Sequence, residues 1–104
     1  MIPYETGKHN FNVTTTAKSL RALIDTAVGS PVNIPAEVDS VDLFMEDGDV
    51  RYGYGFTPTT TEGFPMTQRS LRALRNVDFD KLFLISISGT VKIGYDVGIS
   101  DVKV

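Results

Sequence analysis

Nine residues near the end of the chain constrain its fold more than any other stretch. In VKIGYDVGI, Val91, Ile93, Tyr95, Val97 and Ile99 alternate with polar or small residues. Successive side chains of a strand point to opposite faces, so this period of two predicts a strand with one apolar face. KLFLISISGT precedes it and carries Leu82, Phe83, Leu84 and Ile85 in a row. The two segments together predict a hairpin. Turn chemistry favours a two-residue loop, Gly89-Thr90. Packing favours a three-residue loop, Ser88 to Thr90, which pairs Ile87 with Val91, Ile85 with Ile93 and Phe83 with Tyr95. In the packing register Leu82 and Leu84 face the other way, which predicts a strand buried on both sides.

A second hairpin is expected in SVDLFMEDGDVRYGY. Asp47-Gly48 is a strong two-residue turn signal. A turn there sets Met45 against Val50, Leu43 against Tyr52 and Val41 against Tyr54. All three pairs are apolar, and a slip of one residue would break all of them. FNVTTT (11–16) is a further strand signal, with Phe11 and Val13 on one face. AKSLRALIDTA (17–27) is the one convincing helical stretch. Leu20, Leu23 and Ile24 have helical spacing, Thr16 can cap the start, and Gly29-Ser30-Pro31 ends it. VNIPAEV reads as a connection, because Pro35 bars a central strand position.

These signals predict an all-β fold, mainly an antiparallel β-sandwich or a small barrel, with one short helix near residues 17–26. The 104 residues suffice for one core and not for two. Residues 1–10, polar with Pro3 and Gly7, read as an extended N-terminal arm, and 11–104 as a single domain. SLRAL occurs twice, at 19–23 and at 70–74, as does TTT, at 14–16 and 59–61. The spacings differ and nothing else aligns, so chance recurrence explains the echo better than duplication. For the second SLRAL, Leu71, Leu74 and Arg75 suit a helical turn, while Leu71, Ala73 and Arg75 suit strand alternation. Both readings of 68–76 stand.

RYGYGFTP (51–58) contains the Gly-aromatic-Gly-aromatic string of an RNA-binding strand. That strand wants a basic residue before the first glycine and a particular apolar pattern after the last. Tyr52 precedes here, and Thr57-Pro58-Thr59 follows. The companion strand, if it were LFLISI, would come in the wrong order. The net charge of −3 and pI near 4.9 lower the prior for phosphate binding further. The glycines do not precede a helix in a phosphate-loop pattern. An aromatic strand with small residues on its other face is the simpler reading.

Other chemistry finds little footing. There is no cysteine and a single histidine, His9, so neither a thiolate nor a histidine cluster for zinc is expected. Asp42, Glu46, Asp47 and Asp49 lack calcium-loop spacing and read as a solvated turn. His9 has no marked partner, and the serines lack a nucleophile-elbow context. We expect no enzyme, no cofactor, no metal and no nucleic acid. No apolar run is long enough for a membrane span, and MIPYETGKHN lacks the apolar core of a signal peptide. A protein made in the cytoplasm is expected.

What is left is surface. TPTTTEGFPMTQ (57–68) is a long polar loop with apolar residues at its ends. Its hydroxyls can order it by bonding the backbone, or it can serve as a contact surface. The candidate partner contacts are Tyr4 in the arm, Phe56, Thr59, Thr60, Thr61, Phe64 and Met66.

The order of segments adds a resemblance. A strand ending in threonines leads into AKSLRAL, then an apolar strand, DVRYGYG, TPTTTEGFPM, LRAL and KLFLISISGTVKIGYDV. Over about residues 11–97 this order resembles the small β-sandwich accessory proteins of tailed-bacteriophage virions. Arg69, Arg72 and Arg75 depart from the apolar-polar strand that follows the loop in that family. The resemblance implies a non-enzymatic structural protein, a capsid decoration or cement protein on the outer shell. Its implied partners are the major capsid protein or other virion structural proteins, with copies of itself in the assembled particle. Its implied location is the virion. A tail, baseplate or head-fibre component is the alternative within the same particle. A glycan-binding β-sandwich module, with Tyr52, Tyr54 or Phe56 as stacking platforms, is the alternative from a different class.

Overall fold

A computed structural model describes residues 1–100. Nine strands and one helix follow in the order β1 (Ile2–Tyr4), β2 (Asn10–Val13), β3 (Lys18–Ser19), α1 (Leu20–Val28), β4 (Ser40–Met45), β5 (Val50–Tyr54), β6 (Phe64–Met66), β7 (Leu71–Leu74), β8 (Leu82–Ser86) and β9 (Val91–Ile99). They form two antiparallel sheets. One is five-stranded and ordered β1-β9-β4-β7, with β2 also pairing β9; the other is ordered β3-β8-β5-β6. The fold is a small all-β sandwich with one short helix, as the alternation implies.

Neither expected hairpin exists. β4 and β5 lie in different sheets, and so do β8 and β9. Val41, Leu43 and Met45 pair with Val97, Tyr95 and Ile93 of β9, while Val50, Tyr52 and Tyr54 pair with Ser86, Leu84 and Leu82 of β8. The Asp47-Gly48 pair does not adopt the expected turn. The favoured two-residue turn needs positive φ at both central positions, and neither Asp47 nor Gly48 has it. The chain instead makes an arch of four residues, 46–49, that carries it across the core. Three more crossings have the same length: residues 14–17, 67–70 and 87–90. All four lie at one end of the sandwich, because β2 and β4 run antiparallel to β9 and β7 runs antiparallel to β4.

The arches are stitched to one another. Asp47 Oδ1 accepts from the Lys92 backbone N–H at 2.7 Å, and Asp49 Oδ1 accepts from that of Gln68 at 2.7 Å. The Ile87 N–H donates to the Asp49 carbonyl at 3.2 Å. The acidic turn is therefore not merely solvated: one carboxylate satisfies an amide of the neighbouring 67–70 crossing and another the Lys92 amide at the start of β9.

The apolar residues named by alternation do face the core. Val41, Leu43, Met45, Val50, Val91, Ile93, Tyr95 and Val97 are buried, together with Phe11 and Val13 of β2. β8 is covered widely: Leu82, Leu84, Ile85 and Ser86 are all buried. The helix starts later than expected. Ser19, not Thr16, is the cap; its Oγ accepts from the Ala22 N–H at 3.2 Å. Gly29 closes the helix with φ of 89°, its N–H donating to the Asp25 carbonyl at 2.9 Å. Leu20, Leu23 and Ile24 point inward, and the helix packs against β2, β3 and β8.

The second SLRAL is a strand, β7, which resolves the ambiguity of 68–76. The loop expected over 57–68 is shorter, because Phe64–Met66 pair with β5 as β6. At the other margin Ile2–Tyr4 of the N-terminal segment pair with β9 as β1. The Thr6 and Tyr95 hydroxyls there share a hydrogen bond of 2.7 Å. Burial raises the Tyr95 phenol pKa above its usual 10.0.

Candidate functional site

The far end of β5 carries the most distinctive surface. Val50, Tyr52 and Tyr54 share the core-facing side of the second sheet, since Val50 lies beside buried Met66 and Tyr52 beside buried Leu84. Val50 is fully covered. Tyr52 is half-buried, and Tyr54, further along, is 41% exposed. The expected burial of Tyr54 against Val41 is thus overturned, because β4 lies in the opposite sheet. The Tyr54 hydroxyl accepts from the Asp78 N–H at 2.9 Å.

Phe64 lies opposite Tyr52 on β6, with ring centroids 5.2 Å apart. Phe56 stands 6.4 Å from Phe64. Phe56 is 45% and Phe64 54% exposed, high values for such large apolar rings. Arg72 of β7 closes the group. Its guanidinium lies 5.6 Å from the Tyr52 ring centroid and donates to the Pro65 carbonyl at 3.5 Å. The arginine therefore bridges the margins of the two sheets through a cation–π contact.

The glycines of GYGF have a geometric role. A Cβ on Gly53 would stand 2.6 Å from the Phe56 carbonyl oxygen and 2.9 Å from its ring. Gly55 has φ of 79°, and its N–H donates to the Lys81 carbonyl at 2.9 Å. The chain turns back on itself there and lays Phe56 against the strand it has just left.

The threonine loop that follows is held in place. Thr59 Oγ1 accepts from the Glu62 N–H at 3.0 Å and the Thr61 N–H at 3.3 Å. Arg51 donates to the carbonyls of Thr60 and Gly63 at 3.3 and 3.0 Å, and Pro58 is buried beneath. The Thr59 hydroxyl and Arg51 thus order the loop, which leaves Thr59 and Thr61 exposed.

Of the expected contacts, Phe56 and Phe64 come together, with ring centroids 6.4 Å apart, while Thr59 and Thr61 are exposed and Thr60 half-buried in the loop between them in sequence. Met66 does not belong there. It is 2% exposed, a core residue beside Val50. Tyr4 sits on β1, at the opposite margin of the five-stranded sheet from β7. Its hydroxyl reaches the Asn33 carbonyl at 3.5 Å. Arg72 joins the surface through Tyr52 without having been singled out for it, whereas Tyr54 turns its hydroxyl to Asp78. Only the strand reading of 70–74, coupled to the pairing of β7, places Arg72 at this margin.

Elsewhere, His9 Nε2 lies 3.6 Å from the Glu5 carboxylate, both well exposed, beside a hollow of about 160 Å³ lined also by Tyr95. Asp42 pairs with Arg75 at 2.9 Å and Arg21 with Asp80 at 2.7 Å. Among the described residues, no three metal-ligating side chains converge, and no helix is long and apolar enough to cross a membrane. No protein-family model, characterised protein or solved structure matches the chain.

Proposed function

We propose that this chain is a non-enzymatic docking module that works by burying its aromatic surface against a protein partner. The observation that carries the reading is the pair Phe56 and Phe64, each about half exposed with ring centroids 6.4 Å apart, flanked by the half-buried Tyr52 ring that Arg72 covers. Exposed aromatic side chains rimmed by polar groups are the usual form of an interface core, and a rigid surface loses little entropy on docking. The resemblance of the segment order to accessory virion proteins supports the setting we propose: a capsid decoration or cement protein of a tailed phage, with the shell as its partner. A tail or fibre position uses the same surface at lower copy number.

The glycan-binding alternative has one observation in its favour. Stacking on sugar needs open rings, and Tyr54 and Phe56 are open. Against it, Tyr52 already has Arg72 over its face, and the Phe56 and Phe64 rings are inclined at 60° rather than forming one platform.

Quantitative mass spectrometry of purified particles tests the setting. A ratio to the major capsid protein near one, or a simple fraction of it, supports decoration; a few per cent of that ratio moves the chain to the tail. Absence from particles discards both. Phe64→Ser tests the surface: attachment should be lost while the fold is kept. Retained attachment would refute the aromatic surface as the contact.

A further inference from the structure

The docking reading leaves the partner's chemistry unstated, and the margin beside the aromatic surface supplies it. β7 is the last strand of the five-stranded sheet. The Met45 N–H donates to the Ser70 carbonyl and the Arg69 N–H donates to the Met45 carbonyl, so Met45 turns its backbone groups toward β7. The Glu46 N–H turns the other way, to the Lys92 carbonyl. The alternation of an antiparallel ladder then points Leu43 and Val41 at β7, and their partners Arg72 and Leu74 at β4. It follows that the N–H and C=O groups of Leu71 and Ala73 face outward, unpaired by any strand among the described residues. Leu71 is 67% exposed.

Two further features set this edge apart. Proteins blunt a free edge with proline, a very short strand or charged side chains. β6 uses the first two, being three residues long with Pro65, whereas β7 uses charge, which bars like-charged strands and leaves an acidic one admissible. β7 has no proline, and left-handed residues bound it on both sides, Arg69 with φ of 63° and Asn76 with φ of 57°. The edge is also basic. Arg69, Arg72 and Arg75 lie along it in a chain of net charge −3. Asp42 balances Arg75, whereas Arg72 lies over an uncharged ring. A second copy pairing here would bring two sets of three arginines together. An acidic strand would neutralise them.

We propose that β7 accepts an extended, acidic segment of the docking partner as an added strand. The added strand bonds the outward groups of Leu71 and Ala73, and its carboxylates meet Arg69 and Arg72. The strand would lie over the margin that Arg72 bridges, continuous with the Tyr52 and Phe64 rings. The proposal deepens the docking reading and rests on it.

The probe is a short, end-capped peptide alternating glutamate and valine, tested against the same peptide with lysine in place of glutamate. Binding is read by fluorescence anisotropy and by amide hydrogen exchange of the full chain. The glutamate peptide should bind at millimolar concentration or below, at least about tenfold more tightly than the lysine peptide. It should slow exchange at Leu71 and Ala73. Ala73→Pro should abolish binding and keep the fold, because the lost donor faces solvent. If that variant fails to fold, exchange protection in the native chain still decides. No binding of the glutamate peptide, equal binding of both peptides, or protection elsewhere overturns the proposal. So does self-association that Ala73→Pro abolishes, which would make β7 a dimer edge. Attachment to particles that survives Ala73→Pro but not Phe64→Ser keeps the aromatic surface and discards the edge.

Discussion

Phe64 and Met66 lie two residues apart on the same face of β6, yet they should respond to truncation in opposite ways. Met66 is 2% exposed, beside fully buried Val50, while Phe64 is 54% exposed and touches only Tyr52 and Phe56 among the rings. Replacing a buried methionine with alanine removes its transfer energy and leaves a cavity, together about 2 to 5 kcal/mol. With a urea m-value of about 1.5 kcal/mol/M for a domain of this size, Met66→Ala lowers the unfolding midpoint by about 1.3 to 3.3 M. Phe64→Ala loses at most the ring contacts, about 0.5 to 1.5 kcal/mol, so its midpoint falls by less than about 1 M. The assay is equilibrium urea denaturation followed by circular dichroism on both variants, with attachment to the partner measured on the folded fraction. Met66→Ala should weaken the fold and, once folded, spare attachment. Phe64→Ala should do the reverse. A Met66→Ala shift below about 0.5 M, or one no larger than that of Phe64→Ala, would refute the assignment of Met66 to the core and Phe64 to the surface.

Gly53→Ala should lower stability by about 1 to 3 kcal/mol, since its methyl meets the Phe56 backbone and cannot be cheaply relieved; a raised melting temperature would contradict the close approach. Ser19→Ala should remove about 1 kcal/mol by taking away the helix cap, whereas Thr16→Ala should be nearly silent in the same thermal melt. The raised Tyr95 pKa sets an alkaline limit. The folded state holds the phenol proton more tightly than the unfolded chain, so its contribution is fully present below the unfolded pKa and is lost as pH rises through the folded one. Tyr95→Phe should therefore flatten the fall in stability above about pH 10 while losing the bond to Thr6 at all lower pH. A pH–stability curve with the native slope would rule this out.

The candidate surface was only partly legible. Phe56, Phe64 and the threonines stand close in the chain, and a polar loop with aromatic ends marks them as surface. Met66 carries the same local marks and lies in the core, because what separates it from Phe64 is how far the opposite sheet extends. Arg72 reaches Tyr52 across twenty residues, through the pairing of β7 with β4 and of β6 with β5. No local pattern encodes that meeting.

The same division runs through the fold. Alternation in Val41 to Met45, Val50 to Tyr54 and Val91 to Ile99 identified the strands and the faces they turn inward, because side-chain direction follows from backbone geometry within the strand. It did not identify their partners. Two consecutive strands turn the same residues inward whether they bond edge to edge or face each other across a core. Strand pairing is a contact between distant segments, and four-residue arches replaced two-residue turns only because both sheets had to close. SLRAL shows the limit most directly. At 19–23 Ser19 caps a helix whose leucines enter the core; at 70–74 the same residues form a strand, because β4 offers an unpaired edge. The propensities of five residues differ by tenths of a kcal/mol, and tertiary burial and pairing outweigh them.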